Sequence, residues 1–448
     1  MKIKVYNTLS QKKEEFSPLD GKTARMYVCG ITPYDSAHLG HARCYVAFDV
    51  IKRFLNRAGF AVRHIQNFTD VDDKIIKRAA AAGVSPAEIA SKYIDEYFEQ
   101  IRKLSVLDAD VYPKVTETLP EIVELVRQLT EKGFAYEAGG DVYFAVRKFA
   151  GYGKLSKRNL DELMSGARVS PDEKKADPLD FALWKKSKAL EPAWPSPWGE
   201  GRPGWHIECS AMAQKYLGDT IDIHGGGQDL IFPHHENEIA QSEAAHDGKT
   251  FARYFVHNGF VTINDQKMSK SLGNFFALGD IFAKYNPAVV RYFLLSQHYR
   301  SPLDFSDEGL KQSAAACRRI QNALDVRVED AAPSGADRRT ELLEKFDAAM
   351  SDDFNTASAL ASVHSAVDMA FAGTAGAVDA LAEMLGVLGI ALAVAGDKVP
   401  QEVLKLAADR EAARKAKNFK LSDDFREKLK ALGYAVEDTK SGAKIKKI

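Results

Sequence analysis

The sequence lacks several features that mark particular classes of protein. Only four cysteines occur among 448 residues, too few and too scattered for a disulfide framework: Cys29, Cys44, Cys209 and Cys317. No apolar run approaches the roughly 20 residues that a membrane-spanning helix needs. Residues 1–6 lack the apolar core of a signal peptide. We therefore expect a cytoplasmic protein without a membrane partner.

The chain as a whole also lacks an excess of either charge, because 61 Lys and Arg residues stand against 62 Asp and Glu. Overall charge therefore does not indicate a nucleic-acid partner. The C-terminal tail is different, since residues 405–448 carry 13 Lys and Arg but only 7 Asp and Glu. This local excess fits either a solvated helical surface or a surface that contacts phosphates.

Strand-like and helix-like patterns alternate over residues 1–119. Strand-like runs occupy 24–30 and 62–68, and helix-like runs occupy 43–58, 72–82 and 86–104. This alternation is typical of βαβ units with a parallel sheet. It stops over residues 120–203, which contain a Pro-, Gly- and Trp-rich segment, and it resumes at residue 204. From residue 287 onward the pattern is mainly helical.

The strand–turn–helix around residues 26–55 is the stretch that the rest of the chain serves. Its turn carries His38 and His41 with Gly40 between them, and Cys29 ends the strand. In α/β sheets, ligands bind at the carboxyl ends of the strands. A second turn of this kind, 67–74, is crowded with short polar side chains. Helix capping explains one or two of its aspartates, and a ligand-facing role is the alternative for the others.

Residues 225–227 are three consecutive glycines after a buried-type strand. They match neither GxGxxG nor GxxxxGK, so the motif is weak. We expect either a plain loop or a turn whose backbone is cleared for a nucleotide or a sugar.

His234 and Glu238 are four residues apart on a helix predicted to begin at Pro233, so they share a face. Such a pair is more often a surface hydrogen bond. Together with Cys29 and Cys209 it would form a zinc site of thiolate, imidazole and carboxylate ligands. The spacing is not that of a CxxC ribbon, so the pattern alone does not establish the site. Cys44 and Cys317 lie in apolar helical surroundings and read as small buried hydrophobes.

Residues 264–274 form a polar stretch in which Lys267 and Lys270 flank small residues that include Ser269. The two lysines suit a loop that closes over phosphates, each acting as a point charge. An ordinary soluble loop is the plainer interpretation.

Two motifs together resemble the paired signature of the class I aminoacyl-tRNA synthetases. The first is His38-Leu39-Gly40-His41, with a mild apolar variation at its second position, and the second is Lys-Met-Ser-Lys-Ser at 267–271. Phrases elsewhere look like the cysteinyl-tRNA synthetase family: 26–30, 205–209, 232–238 and 352–356. The resemblance extends over essentially the whole chain.

This resemblance implies an α/β protein with a Rossmann-like parallel-sheet catalytic core and an insertion, followed by an all-α helical bundle and a small C-terminal mixed α/β domain. We expect the core halves at 1–119 and 204–262, with the zinc site on the second. We expect the insertion at 120–203, the lysine loop and stem-contact region at 263–315, the bundle at 316–395 and the anticodon-binding domain at 396–448.

The resemblance also implies a reaction. Cysteine and ATP would form cysteinyl-adenylate and pyrophosphate, and the cysteinyl group would pass to the 3′-terminal adenosine of tRNA(Cys). Mg²⁺ would arrive with ATP. Catalytic contacts to the nucleotide would come from His38, His41, Lys267 and Lys270. Further nucleotide contacts are expected from Gly40, Ser269, Gly226 and Asp229. The cysteine and ribose pocket would be lined by Thr69, Trp205, His224 and Asp229.

The implied zinc has a selectivity task. It would be held by Cys29, Cys209, His234 and Glu238, with the substrate sulfur also on the metal. Pocket shape separates small groups by only about 1–3 kcal/mol. A soft thiolate binds zinc well, whereas a serine hydroxyl does not.

The family's end domain reads the anticodon, and bases can stack on aromatic or arginine side chains. Expected contributors are Arg410, Arg414, Lys417, Phe419 and Asp424, although Phe419 stands where the family often has Trp. We expect a monomer.

Three other functions compete. A cysteine ligase of mycothiol synthesis shares the adenylating core and the zinc site but lacks a full anticodon domain. A zinc hydrolase would leave the two lysines without a role. A zinc-stabilised RNA-binding protein would explain the tail and the metal, but not two nucleotide-handling motifs.

Overall fold

The computed structural model describes residues 1–160, 174–189, 191–263, 266–267, 276–326, 338–392, 401–439 and 442–447. Fifteen strands are described within these ranges: β1 Lys4–Asn7, β2 Lys12–Glu15, β3 Thr23–Val28, β4 Ala61–Gln66, β5 Ala135–Ala138, β6 Asp141–Phe144, β7 Phe181–Lys186, β8 Gly201–Pro203, β9 Ile221–Gly227, β10 Ala252–Asn258, β11 Val261–Ile263, β12 Gln266–Lys267, β13 Leu303–Asp304, β14 Tyr434–Thr439 and β15 Gly442–Lys447.

Long helices alternate with these strands and dominate the second half of the chain. Those described are α1 Leu39–Arg57, α2 Asp73–Ala82, α3 Pro86–Lys103, α4 Leu119–Glu131, α5 Trp205–Leu217, α6 Glu236–Ala245, α7 Leu278–Phe282, α8 Pro287–Leu295, α9 Asp307–Leu324, α10 Arg339–Ser351, α11 Thr356–Phe371, α12 Ala377–Leu388, α13 Gln401–Lys415 and α14 Phe419–Ala431. None of the helices in the described ranges is long and apolar enough to cross a membrane.

The central sheet has four parallel strands in the order β10-β9-β3-β4. Met26, Tyr27 and Val28 of β3 are all buried, as expected for a strand covered on both faces. Strands β3 and β4 precede residues 120–203, whereas β9 and β10 follow them. The four-stranded sheet is therefore complete only when β9 and β10 have paired with the strands that precede residues 120–203. The α/β class predicted from the alternating pattern is confirmed.

The glycine run 225–227 lies inside strand β9 and not in the predicted turn. Gly225 and Gly226 pair with Val256 and His257 of β10. A Cβ on Gly225 would lie 2.2 Å from the Phe48 ring of α1, and one on Gly226 would lie 2.8 Å from Leu230. Close packing of a helix and a turn against this strand therefore explains two of the three glycines.

The helix predicted from Pro233 begins later. Residues Ile231–His235 form an irregular helical turn in which Phe232 is extended, and the regular helix α6 starts at Glu236. The extended Phe232 interrupts the backbone ladder that a continuous helix would need. The apolar pattern of residues 255–263 predicts one strand, but the structure divides this stretch between β10 and β11. Gly259 lies between them, where a Cβ would meet the Ser301 carbonyl at 2.5 Å.

Within residues 120–203, strands β5–β8 form an antiparallel sheet in sequential order. Its Trp184 is fully buried. Two ion pairs join β7 and β8 to the start of α2: Arg202 to Asp73 at 2.5 Å and Lys185 to Asp73 at 3.5 Å.

Helices α10, α11 and α12 pack on one another and on the first helix, where Phe54 of α1 meets Phe354 edge to face. The Ala-Ala-Pro-Ser-Gly-Ala run at 331–336 predicts a linker, and it lies outside the described residues. The last described part combines α13 and α14 with the antiparallel hairpin β14–β15. Its small core contains Val403, Ala407, Leu429 and Val436.

Candidate active site and metal centre

The loops that follow β3 and β4 are held together at the carboxyl edge of the sheet. The Cys29 N–H donates to the Gly225 carbonyl at 3.0 Å, and the Gly30 N–H donates to Asn67 Oδ1 at 2.8 Å. A Cβ on Gly30 would lie 1.5 Å from the Asn67 carbonyl oxygen, so only glycine fits this approach. Sequence analysis gave Asn67 no role, although it opened the polar turn that the pattern singled out.

Four buried side chains predicted as zinc ligands meet at this edge. The candidate ligand atoms of Cys29, Cys209, His234 and Glu238 all lie within 4.8 Å of one another. The two sulfurs are 3.9 Å apart, and His234 Nε2 is 3.0 Å from Glu238 Oε1. Residues about 200 positions apart are thus brought into one cluster by the parallel sheet and by the α5 and α6 helices.

A second group of four overlaps the first and shares Cys29 and Glu238 with it. It adds His224 and His235, again with all ligand atoms within 4.8 Å. His224 Nε2 is 3.0 Å from Glu238 Oε2, and His235 Nε2 is 3.4 Å from Cys29 Sγ. Sequence reasoning missed His235, although its position three residues before Glu238 is a neighbouring one on a helical surface.

The first cluster contains thiols, an imidazole and a carboxylate but no lysine or arginine. Burial raises the pKa of the Cys29 thiol well above its usual range. The hydrogen bond with Cys29 lowers the pKa of Cys209. Burial and the nearby Glu238 raise it, and together they outweigh the first effect, so the net pKa shift is upward. Burial lowers the pKa of His234 well below its usual range. No lysine or arginine of the described ranges forms an ion pair with Glu238.

Unsatisfied polar atoms point to the same need. The buried atoms His224 Nε2 and Glu238 Oε2 have no hydrogen-bond partner of acceptable geometry within the described structure. Two sulfurs, an imidazole and a carboxylate form a donor set that suits zinc. The residues present therefore fit a zinc ion.

Trp205 covers one side of this cluster. Its ring stacks on His234 with centroids 4.3 Å apart, and the side chain is 40% exposed. His206 Nδ1 lies 2.8 Å from His234 Nδ1. This contact occupies one ring nitrogen of His234 and turns the other toward Glu238, as outer partners of metal-binding histidines do.

The other predicted pocket residues lie around the same edge. Thr69 is buried, and its N–H donates to the Ile31 carbonyl at 3.1 Å. Asp229 is exposed on a short helical turn directly after β9. Glu208 was not predicted. It is fully buried, burial raises its pKa well above the usual range, and its Oε2 has no hydrogen-bond partner among the described atoms.

His38 and His41 cap helix α1, which begins at Leu39 and so four residues before the predicted start. His38 Nδ1 accepts the N–H groups of Gly40 and His41 at 3.1 and 3.3 Å. His41 Nδ1 accepts the His38 N–H at 3.3 Å, and the two rings stack with centroids 3.6 Å apart. A ring nitrogen that accepts carries no proton, so the proton of each neutral imidazole lies on Nε2.

Backbone bonds tie this turn to the chain that follows the lysine motif. The Leu39 N–H donates to the Phe276 carbonyl at 3.3 Å, and the Leu278 N–H donates to Ala37 at 2.9 Å. Lys267 lies on β12, where it pairs with Thr262 of β11. The Lys267 side chain, Ser269 and Lys270 lie outside the described residues.

Four of the five anticodon candidates are exposed on or beside α13 and α14: Arg414, Lys417, Phe419 and Asp424. Phe419 is 64% exposed. Arg410 is different, since its side chain is only 1% exposed and lies in the interior of this small piece. The role of Arg410 stays a prediction, and a contact with a base would require this buried side chain to become accessible.

Residues 15–315 match the family described as tRNA synthetases class I (C) catalytic domain. The chain is 50% identical to a cysteine–tRNA ligase of Carboxydothermus hydrogenoformans over 467 aligned residues, covering 100% of both chains. It is 52% identical to that of Endomicrobium trichonymphae, covering 99% of each.

Solved structures share the fold at lower identity. A Mycobacterium tuberculosis methionyl-tRNA synthetase in complex with methionyl-adenylate superposes with a TM-score of 0.57 at 19% identity, covering 90% of this chain and 88% of that one. A ternary complex of Agrobacterium radiobacter K84 LeuRS with tRNA and LeuAMS gives 0.60 at 12% identity, covering 82% and 84%. Full-length identity near 50%, the family match and the assembled residues agree: the chain belongs to the cysteine–tRNA ligase family of class I tRNA synthetases.

Proposed function

We propose that this protein activates cysteine with ATP as cysteinyl-adenylate and transfers it to the 3′-terminal adenosine of tRNA(Cys). One observation carries the proposal: a buried two-sulfur metal cluster lies at the edge of the sheet that also bears His38 and His41. Full-length similarity to cysteine–tRNA ligases supports the same activity. Pyrophosphate leaves in the first step, and Mg²⁺ enters with ATP.

We infer that Cys29, Cys209, His234 and Glu238 hold one zinc ion. This set contains both buried cysteines of the sheet edge, whereas the overlapping set contains one. When bound, zinc supplies a soft acceptor for the substrate thiolate and discriminates against the hydroxyl of serine. The protein surrounds the site with buried side chains, and Trp205 stacks on the ring of His234.

His38 and His41 act on the nucleotide. Helix capping by Nδ1 holds both imidazoles with their protons on Nε2, so each donates from that atom. Donors fixed before the reaction stabilise charge that develops on phosphate without reorganisation. Gly40, between them, lets backbone approach the ligand. Lys267 and Lys270 supply point charges for the outer phosphates.

We also propose the predicted roles for the residues of the amino-acid pocket, the nucleotide site and the end domain. Thr69, Trp205, His224 and Asp229 lie at the sheet edge as the cysteine and ribose pocket. Gly226 lies within β9 against Leu230, so its contribution is a narrow backbone at the floor of the site. In the end domain, the exposed Phe419 offers a stacking surface for a base and Arg414 and Lys417 offer cations for phosphate. We expect a cytoplasmic monomer.

The mycothiol alternative is less well supported. An enzyme of that class lacks a full anticodon domain, whereas α13, α14 and the β14–β15 hairpin form a separately packed end piece here. The cysteine–tRNA ligases also match this chain over its whole length.

The test is ATP–pyrophosphate exchange with cysteine or serine, with zinc quantified in the same samples. Wild type should exchange with cysteine and not with serine, and Cys209→Ser should lose both metal and exchange. Cys317→Ser is the matched control, because Cys317 is also buried but lies in α9. Charging of tRNA(Cys) then separates the ligase from the mycothiol enzyme.

If Cys209→Ser loses its zinc but still supports exchange with cysteine and not with serine, the proposed role of the metal is contradicted. Discrimination would then come from pocket shape around Thr69 and Trp205. Absence of exchange with cysteine in the wild type would refute the activity itself.

A further inference from the structure

A chain of hydrogen bonds runs from Thr8, in the turn between the antiparallel strands β1 and β2, to the metal cluster. This cluster is the group of Cys29, Cys209, His234 and Glu238. Thr8 Oγ1 is 2.8 Å from His257 Nδ1. His257 Nε2 is 2.9 Å from His235 Nδ1. His235 Nε2 is 3.4 Å from Cys29 Sγ. No part of the proposed reaction uses Thr8, His257 or His235.

Both histidines of the chain are buried, with His257 3% and His235 0% exposed, and burial disfavours the charged imidazolium. A neutral imidazole has one donor nitrogen and one acceptor nitrogen. All four ring nitrogens are engaged along the chain, so every hydrogen bond must point the same way. Only two arrangements are possible: all donors point toward Cys29, or all point toward Thr8.

The Thr8 end of the chain is fixed by the backbone. The Thr8 N–H donates to the Phe255 carbonyl of β10 at 2.9 Å. The neighbouring Asn7 accepts the Phe255 N–H at 3.0 Å and donates to the Arg253 carbonyl at 2.8 Å. The hydroxyl is therefore held at a defined place beside the strand that carries His257.

A cysteine that binds a metal is a thiolate, which accepts hydrogen bonds and has no proton to donate. This fixes the direction: Thr8 O–H to His257, His257 N–H to His235, and His235 N–H to Cys29. We propose that Thr8, His257 and His235 are positioning residues that deliver one N–H to the metal-bound Cys29 sulfur. This inference rests on the metal site proposed above and goes beyond its four ligands.

The overlapping ligand group offers a different role for His235, as a ligand itself. Its contact with Cys29 and the engagement of its other nitrogen by His257 fit an outer partner equally well. The two roles make opposite predictions. A ligand is required for metal binding, whereas an outer partner tunes a site that still binds.

Cobalt(II) is the probe, because its sulfur-to-metal charge-transfer absorption reports directly on the coordinating sulfurs. Wild type, Thr8→Val, Thr8→Ser and His257→Phe are each loaded with one equivalent. Both variants keep His235 but remove the partners that hold its proton on Nε2, so the N–H bond to sulfur should weaken. The thiolate then becomes a stronger electron donor, and the band should move to longer wavelength in Thr8→Val and His257→Phe. Thr8→Ser retains the hydroxyl and should match the wild type.

The rate of metal loss to a competing chelator is the second readout. His257→Phe should lose zinc about 10–100-fold faster than the wild type, the usual effect of removing an outer partner. Thr8→Val, which keeps the side-chain volume and both histidines, should show a smaller change in the same direction. Thermal unfolding of the metal-free variants identifies any that fail to fold.

Wild-type band position and chelation rate in both Thr8→Val and His257→Phe would overturn the inference. So would loss of all cobalt binding in His235→Gln with retention in His234→Gln, which would make His235 a ligand. Wild type that activates cysteine but gives no sulfur-to-cobalt band would refute the metal site and leave the proposed activity standing.

Discussion

Two fully buried groups of ionisable side chains differ in how their charge is balanced. In the first, Arg291 of α8 forms an ion pair with Asp49 of α1 and donates to the Leu388 and Leu104 carbonyls, each at 2.7 Å. In the second, the cluster at the sheet edge, Glu238 meets only histidines and thiols among the described residues.

The difference separates a structural centre from a site that takes a ligand. Arg291 and Asp49 supply opposite charges, Arg53 adds a second cation 2.8 Å from Asp49, and the Leu388 and Leu104 carbonyls accept two further guanidinium donors of Arg291. Helix α1, which His38 caps, is thereby joined to the helical bundle without any added group. The cluster at the sheet edge supplies donors only, and under our proposal a cation from outside would complete it. Substitutions in either group test this comparison, and a third buried group extends it.

Removal of Arg291 should have the largest effect on stability. Arg291→Met leaves Asp49 buried without its main cation, and breaking such a pair costs about 3–5 kcal/mol. We expect this loss in the free energy of unfolding measured with urea. Adding Asp49→Leu should recover most of it, because two apolar side chains need no counter-charge. If the two substitutions cost the sum of their single effects, the pair is not the self-contained unit described here.

Removal of metal should come next. A ligand present at 100 times its dissociation constant stabilises the folded state by about 2.7 kcal/mol. A chelator should therefore lower the urea midpoint of the wild type and leave that of Cys209→Ser unchanged. Equal sensitivity of the two proteins to the chelator would show that the cation acts elsewhere.

His64 in strand β4 is a third buried group and has neither a charge partner nor a hydrogen bond to its ring nitrogens within the described structure. Burial lowers its pKa to about 3, so the folded state keeps it neutral while the unfolded chain binds a proton below its ordinary value of 6.5. Stability contributed by the neutral ring is complete above pH 6.5 and falls as the pH drops toward 3.

Between pH 7 and pH 5 this loss amounts to about 2 kcal/mol, at 1.36 kcal/mol per unit. His64→Leu should remove that part of the acid sensitivity. The measurement is the unfolding free energy of both proteins at the two pH values. Parallel losses in wild type and variant would assign the acid sensitivity to other groups.

The smallest expected effect concerns the exposed side of the metal cluster. A stacked aromatic pair contributes about 0.5–1.5 kcal/mol, so Trp205→Ala should speed zinc loss to a chelator by roughly 2–13-fold. Phe371→Ala is the control, because Phe371 is a comparably exposed aromatic on the bundle helix α11. Equal rates in all three proteins would limit Trp205 to contacts with the substrate.

The sequence predicted best those features that depend on neighbouring residues, such as the strands and helices of the first half. The strands around Tyr27 and Ile65 and the helices near them lie within a few residues of their predicted bounds. Cys29, Cys209, His234 and Glu238 were predicted as zinc ligands from the family resemblance, since their spacing alone did not establish a site. The assembled cluster places all four together.

Contacts between distant segments could not be read in this way. The glycines at 225 and 226 looked like a turn because nothing local reveals that Phe48 and Leu230 press on that strand. Asn67 meets Gly30 only once β4 lies beside β3. The contacts of His257 with His235 and Thr8 exist only once β10 lies beside β9 and β1 lies beside β10. The burial of Arg410 is a further case, since a basic helix in sequence does not show which side packs inward.

The order of strands in the central sheet also bears on how the protein is made. Strand β3 lies between β4, which follows it closely, and β9, which is nearly 200 residues away. At 5–20 residues per second, a ribosome needs roughly 9–36 s to pass from Val28 to Cys209, and β9 is made only after that. Throughout that interval one edge of β3 has no neighbour and the Cys29 thiol has no partner sulfur. The nascent chain therefore passes through a period in which a β-edge and a free thiol are both open to unwanted reactions.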